Sequence, residues 1–175
     1  MTAGGACDLA GAPRLAGMTD ALPARSRLVA ASLEAAGISG KIVVLPDAAS
    51  TAALAAAALG VEVGAIANSL VFWSDDAPLP IMTSGAHRVD TAALAQRLGR
   101  GGIRRATPEQ VLTATGQPIG GVAPTGHPAP LTTVVDEALA AFPEIWAAGG
   151  TPHTVFPLTF DELVRLTGGA VSRVA

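Results

Sequence analysis

Between Thr115 and His127 the chain reads Thr-Gly-Gln-Pro-Ile-Gly-Gly-Val-Ala-Pro-Thr-Gly-His, four glycines and two prolines in thirteen residues. Such a segment cannot run on as helix or central strand. Proline has no amide hydrogen to donate, and glycine loses more backbone entropy than any other residue when it is ordered. The segment must be a shaped loop. Glycine lets N–H groups face a ligand with no Cβ in the way, and proline fixes φ, so Gly120-x-x-x-Pro124 suits a rigid rim of amide donors around a small ligand. The same composition also suits a long surface turn.

On either side of this loop the pattern alternates between helix and strand. Leu28, Val29, Leu33 and Ala36 mark one face of a helix that starts after Pro23 and stops at Gly37. Lys41 to Leu45 reads as a buried strand, and Ala52 to Leu59 as a helix capped by Ser50 or Thr51 and ended by Gly60. Val63 to Ala67 reads as a helical turn. Ser69 to Trp73 and Leu79 to Thr83 form a hairpin about Asp75-Asp76-Ala77-Pro78, expected at the centre of the sheet. Asp90 caps a helix through Leu98, Ile103 to Ala106 is a strand, and Thr107-Pro108-Glu109 starts the helix that delivers the loop. Beyond it come strands at Thr132 to Val135, Glu144 to Ala148 and Thr154 to Phe156, a helical turn at Glu137 to Ala141, and a helix from Phe160 to Thr167. Thr159 and Glu162 form the capping box of that helix. The fold class is α/β, a single domain with a mixed central β-sheet and peripheral helices.

A chain of 175 residues is long enough to bury a real core. Its apolar runs fall short of the about eighteen residues a membrane span needs, and its first twenty lack a signal-peptide pattern. Those residues read as a disordered tail, leaving 21–175 as the domain. A lone cysteine, Cys7, excludes an internal disulfide and a cysteine zinc site, and fits a cytoplasmic location. The net charge of −3 argues against a protein that coats nucleic acid. Lys41 is the only lysine, so a local basic patch would rest on Arg88, Arg97, Arg100, Arg104 and Arg105, which equally suit a solvated face. No phosphate-binding P-loop, dinucleotide fingerprint or nucleophile elbow is present. His87, His127 and His153 lack metal-ligand spacing, so neither metal nor other cofactor is expected.

Ile119 to His127, Ala67-Asn68-Ser69-Leu70-Val71-Phe72 and Ser84-Gly85-Ala86-His87-Arg88-Val89-Asp90 occur in the order seen in the YbaK/EbsC/ProX family, which the chain resembles from about Arg25 to Ala175. Members are free-standing relatives of the editing domain of bacterial prolyl-tRNA synthetase. The resemblance implies a trans-editing deacylase that removes a small noncognate amino acid from mischarged tRNA(Pro)-type substrates. The implied partners are the aminoacyl-tRNA 3′ end and, as a further candidate, an aminoacyl-tRNA synthetase, with no membrane. Aminoacyl esters are already activated, so amide donors and the terminal ribose hydroxyl can suffice for hydrolysis. The amides implied are those of Gly120, Gly121 and Val122, with Asn68 beside them as a catalytic position and Pro124 fixing their geometry. Thr51, Ser69, Ser84, Gly85, Arg88, Gly126 and His127 are the implied substrate contacts, although Thr51 also has its capping role. Val71, Ile81, Thr83 and Ser84 are expected to line the amino-acid pocket, and His153 to lie near its mouth without being essential.

The family's usual residue at Asn68 is lysine. Asparagine keeps a donor but loses the charge and reach. Either the substrate is held in another way, with Arg88 or His127 facing the phosphate, or hydrolysis has weakened and the domain is a binding or regulatory module.

Overall fold

Two aspartates make the turn on which the sheet is built. Asp75 and Asp76 both have positive φ, 51° and 60°, the backbone of a two-residue turn whose twist matches that of the strands it joins. The hairpin is therefore tighter and longer than a four-residue turn would allow. β2 (Ile66–Ser74) and β3 (Ala77–Ser84) pair along their whole length, from Ser74 opposite Ala77 to Ala67 opposite Ser84.

The computed structural model describes residues 22–175. The expectations for residues 1–20 and for Cys7 fall outside the described residues. Around the hairpin lie α1 (Ala24–Ala35), β1 (Val43–Val44), α2 (Ala52–Leu59), α3 (Thr91–Leu98), β4 (Arg104–Arg105), α4 (Pro108–Thr115), β5 (Val134–Asp136), β6 (Ile145–Ala148), β7 (Thr154–Leu158), α5 (Phe160–Thr167) and β8 (Ala170–Ser172), with 3₁₀ turns at Val63–Ala65 and Glu137–Ala141. The strands form one mixed sheet in the order β1-β7-β6-β2-β3-β5-β8, with β4 added on β2. The hairpin sits at the centre, as expected.

The helices start where their caps dictate. Thr51, Asp90, Thr107 and Thr159 each accept a hydrogen bond from an amide of the first turn, and Thr107 with Gln110 and Thr159 with Glu162 complete capping boxes. The alternation of β3 sends its side chains to two cores. Met82 packs with Val29, Leu33, Phe156 and Leu163 beneath α1 and α5, while Ile81 and Leu79 pack with Phe72, Leu94 and Val134 beneath α3.

The differences from the expected boundaries are local. Ile66 and Ala67 belong to β2, because β6 pairs with them there. The strands expected at 41–45 and 103–106 shorten to two residues each, since only those residues find a partner. β8, paired parallel with β5, was not expected: three exposed or half-exposed residues carry no alternation to read.

Candidate functional site

On one edge β2 is fully paired by β3; on the other it is not. β6 pairs with Ile66 and Ala67, and β4 with Phe72 and Trp73. Between them the strand has no neighbour. Ala106 donates its N–H to Val71 O at 3.2 Å, which fixes the Val71 backbone on the β4 side, and Gly85 donates to Ile66 O at 2.8 Å on the β3 side. Backbone direction alternates along a strand, so Ser69 presents its N–H and C=O to the open side. Its side chain adds a third free polar group, for Ser69 Oγ is buried with no hydrogen-bond partner. Groups of this kind in a native fold point to a ligand or ordered water.

Against this opening lies a cavity of about 300 Å³. Thr51, Ala52 and Ala55 of the α2 entrance form one wall, and Val111, Ile119, Gly120 and Val122 from α4 and the glycine-rich loop form another. Trp146 stands at one end and Arg105 at the other, with Asn68 and Ser69 between.

The loop is rigid because it is bonded from inside. Thr115 Oγ1 donates to Val111 O (2.7 Å) and accepts the Gln117 N–H (3.1 Å). The buried Gln117 side chain then accepts from Ala123 N at 2.6 Å and donates to Thr125 O at 3.0 Å, tying the two ends of the loop across its middle. Gly121 comes so close to the 151–152 turn that a Cβ would sit 2.4 Å from the Thr151 carbonyl carbon. Gly120 has φ +89°, a conformation disfavoured for any other residue. The Gly121 N–H is engaged by Pro118 O at 3.2 Å. Of the three amides implied by sequence, Gly120 and Val122 are therefore the two whose residues line the cavity, and Gly121 acts through packing.

The structure brings Thr51, Asn68, Ser69, Gly120 and Val122 together around the cavity and places the other implied contacts elsewhere. Ser84 is buried, donating from Oγ to Gly64 O (2.8 Å) and from N–H to Asp136 Oδ2 (3.0 Å). Thr83 Oγ1 and His87 Nδ1 reach the same carboxylate oxygen at 3.3 and 2.9 Å. This network ties the end of β3 to β5. Gly85 is a close-packing glycine, where a Cβ would meet Val63 O and the Ala52 Cβ. Arg88 is exposed and off the cavity.

Pro124, Gly126 and His127 lie behind the loop, around a second cavity with Ser32 and Leu131. His127 Nε2 lies 2.8 Å from Ala123 O, a contact in which the ring N–H donates. Burial holds its pKa below the ordinary 6.5, against the opposing effect of that bond. The expectation that Ile81, Thr83 and Ser84 line the pocket is corrected: β3 is an internal strand, and those side chains are committed to the core, to Asp136 and to Gly64 O respectively. Val71 does line it. His153 is exposed and does not.

Two residues that matter here escaped the sequence reading as site residues. Gln117 gave a signal, being the one side-chain amide in the loop. Arg105 was counted only as part of a basic stretch, and register alone puts it at the cavity. Of that stretch, Arg97 donates to Arg173 O, Arg100 pairs with Asp75 at 3.5 Å and Arg104 contacts Gln110. The described residues lining the cavity include no histidine, cysteine or carboxylate.

Comparison with known proteins agrees with this fold. The chain is 33% identical over 110 residues to YwhH of Bacillus subtilis, an uncharacterised protein, matching 62% of this chain and 69% of that one. A solved structure of a candidate trans-editing enzyme for prolyl-tRNA synthetase superposes with TM-score 0.80 at 43% identity, covering 87% of this chain and 98% of the other. The proline–tRNA ligase of Nitratidesulfovibrio vulgaris is 31% identical over 107 residues, which are 55% of this chain but only 19% of the ligase. The pattern of the aminoacyl-tRNA editing domain matches residues 46–166, well over half the length, and the chain belongs to that family.

Proposed function

We propose that this protein is a trans-editing deacylase that hydrolyses the ester of a small noncognate amino acid on tRNA(Pro)-type substrates. The observation that carries the reading is the junction of the open β2 edge with the glycine-rich loop in a member of the editing-domain family. The ester carbonyl lies against the Gly120 and Val122 amides, where each well-placed donor contributes about 2.7 to 4 kcal/mol at the transition state. Among the described residues no side chain lining the cavity is a general base, so the terminal ribose hydroxyl orients or activates the attacking water. Ser69 offers its N–H, C=O and Oγ to the aminoacyl group, and Asn68 a side-chain amide.

The alanines at 52, 55 and 67 keep the cavity shallow on the side of α2 and β2 and suit a small side chain. A second sieve of this sort answers a physical limit, since a synthetase pocket discriminates one methylene by only about 1 to 3 kcal/mol. Pro124, Gly126 and His127 serve by holding the loop from behind. The reading places the protein in the cytoplasm, beside tRNA and the synthetase whose errors it removes.

A second reading is favoured by Asn68 and the acidic overall charge: a module that binds the aminoacyl end without hydrolysing it. A panel of Ala-, Cys- and Ser-tRNA(Pro), with amino-acid release followed over time, separates the two. Release above the spontaneous rate on at least one substrate is expected. Binding without release on every member selects the second reading.

A further inference from the structure

We propose that Arg105 anchors the phosphodiester next to the terminal adenosine of the ligand, supplying the one charge among the described residues of the cavity; this rests on the reading of the cavity as an aminoacyl-tRNA end site. Among the described residues lining it Arg105 alone is charged. Its place is set by register: Arg105 is opposite Phe72, and directly opposed residues project to the same face, as do every second residue along β2. Asn68, Leu70, Phe72 and Arg105 therefore share one face, with Asn68 and Arg105 at opposite ends of the open stretch. Four residues of strand separate Asn68 from Phe72, roughly 13 Å, so one end can hold the aminoacyl group while the other holds the backbone of the nucleotide chain.

The guanidinium is held but not satisfied. It lies 5.6 Å from the Phe72 ring centroid, and among the described residues it makes no ion pair and its side chain donates no hydrogen bond. Arg104 also lies over a ring, 6.0 Å from the Trp73 centroid, but it projects to the other face and donates to Gln110 Oε1 at 3.3 Å. A planar fork of donors matches a phosphodiester, and among the described residues no carboxylate pairs with it and a neutral Asn68 leaves no competing cation in the cavity.

The test uses two non-hydrolysable probes, 3′-alanylamido-3′-deoxyadenosine, which has no phosphate, and the same nucleoside extended by a 5′-linked cytidylyl residue, which has one. The natural protein binds the dinucleotide more tightly than the nucleoside by about tenfold, the scale of one charge-assisted contact. Arg105→Ala erases that preference, leaves nucleoside affinity unchanged and leaves Tm unchanged. Arg105→Lys keeps part of it, and Arg104→Ala, with the same loss of charge, keeps all of it. Equal weakening toward both probes in Arg105→Ala, an intact preference, or no preference in the natural protein overturns the proposal. Preference with no ester hydrolysis on the tRNA panel removes the deacylase reading and leaves the anchor standing.

Discussion

β2 and β3 are the two arms of one hairpin, yet they do different work. β3 is paired on both edges, by β2 and by β5, and from Leu79 to Ser84 every residue is buried. β2 is paired by β3 throughout but lacks a neighbour from Asn68 to Leu70 on its other edge, and those three residues are only half-buried. The lesson is that the central strand of a sheet can offer a ligand free backbone groups by losing a few residues of pairing, on an otherwise rigid support that the neighbouring loop covers.

Substitutions should separate the two arms. The largest expected effect on stability is in β3, where Ile81→Ala leaves a cavity in a fully packed core and lowers the unfolding free energy by about 2 to 5 kcal/mol, read by denaturant titration, with turnover per folded molecule retained. A site-specific loss of turnover in that variant would break the division of labour. Next comes Gln117→Leu, which strands the Ala123 amide and the Thr125 carbonyl; a destabilisation of about 1 to 3 kcal/mol with a drop in turnover is expected. Unchanged turnover would mean that the loop's shape is not what the site needs.

Asn68→Lys places a charge on the open edge and should tighten binding of a mischarged tRNA or raise its hydrolysis, by up to about 1.5 to 3 kcal/mol if the contact is well aligned, while Asn68→Ala lowers activity. If both are silent, Asn68 does not touch the ligand.

The smallest effect is on pH dependence and lies behind the loop. Burial lowers the His127 pKa in the folded protein, so the unfolded chain binds the proton first as pH falls. The contribution of neutral His127 is present above about pH 6.5 and is lost as pH falls through that value toward the folded pKa. Comparing Tm between pH 7.5 and 5.5 should show a smaller decline in His127→Gln than in the natural protein. An identical decline would show that His127 is not the group responsible.

Much of this was legible in the residues because local signals and tertiary structure agree. Thr107-Pro108 and Thr159 with Glu162 state where helices begin, and Asp75-Asp76 states where the chain reverses. The loop at 115–127 was legible as a loop for the same reason. Which of its amides is free was not, because that depends on the Pro118 carbonyl reaching Gly121. The gap in β2 was also hidden, since Asn68 to Leu70 reads as an ordinary strand and only the lengths of β4 and β6 leave it uncovered. Ser84 and Gly85 looked like contacts with substrate because sequence order gives no hint of Asp136, which binds the Ser84 N–H from 52 residues away, or of Val63 and Ala52, which pack against Gly85.

The central claim is that the cavity on the open edge performs ester hydrolysis through its loop amides. Gly120→Val tests it most directly, because Gly120 lines the cavity, has φ +89° and has Ser50 Cβ 3.3 Å from the site of a new Cβ. The natural protein and the variant are compared for amino-acid release from mischarged tRNA at equal folded concentration. The expected result is release above the spontaneous rate by the natural protein and loss of about two orders of magnitude in the variant, the scale of one misplaced oxyanion donor, with Tm lowered by only a few degrees. Full turnover in the variant, or none in the natural protein, would contradict the claim.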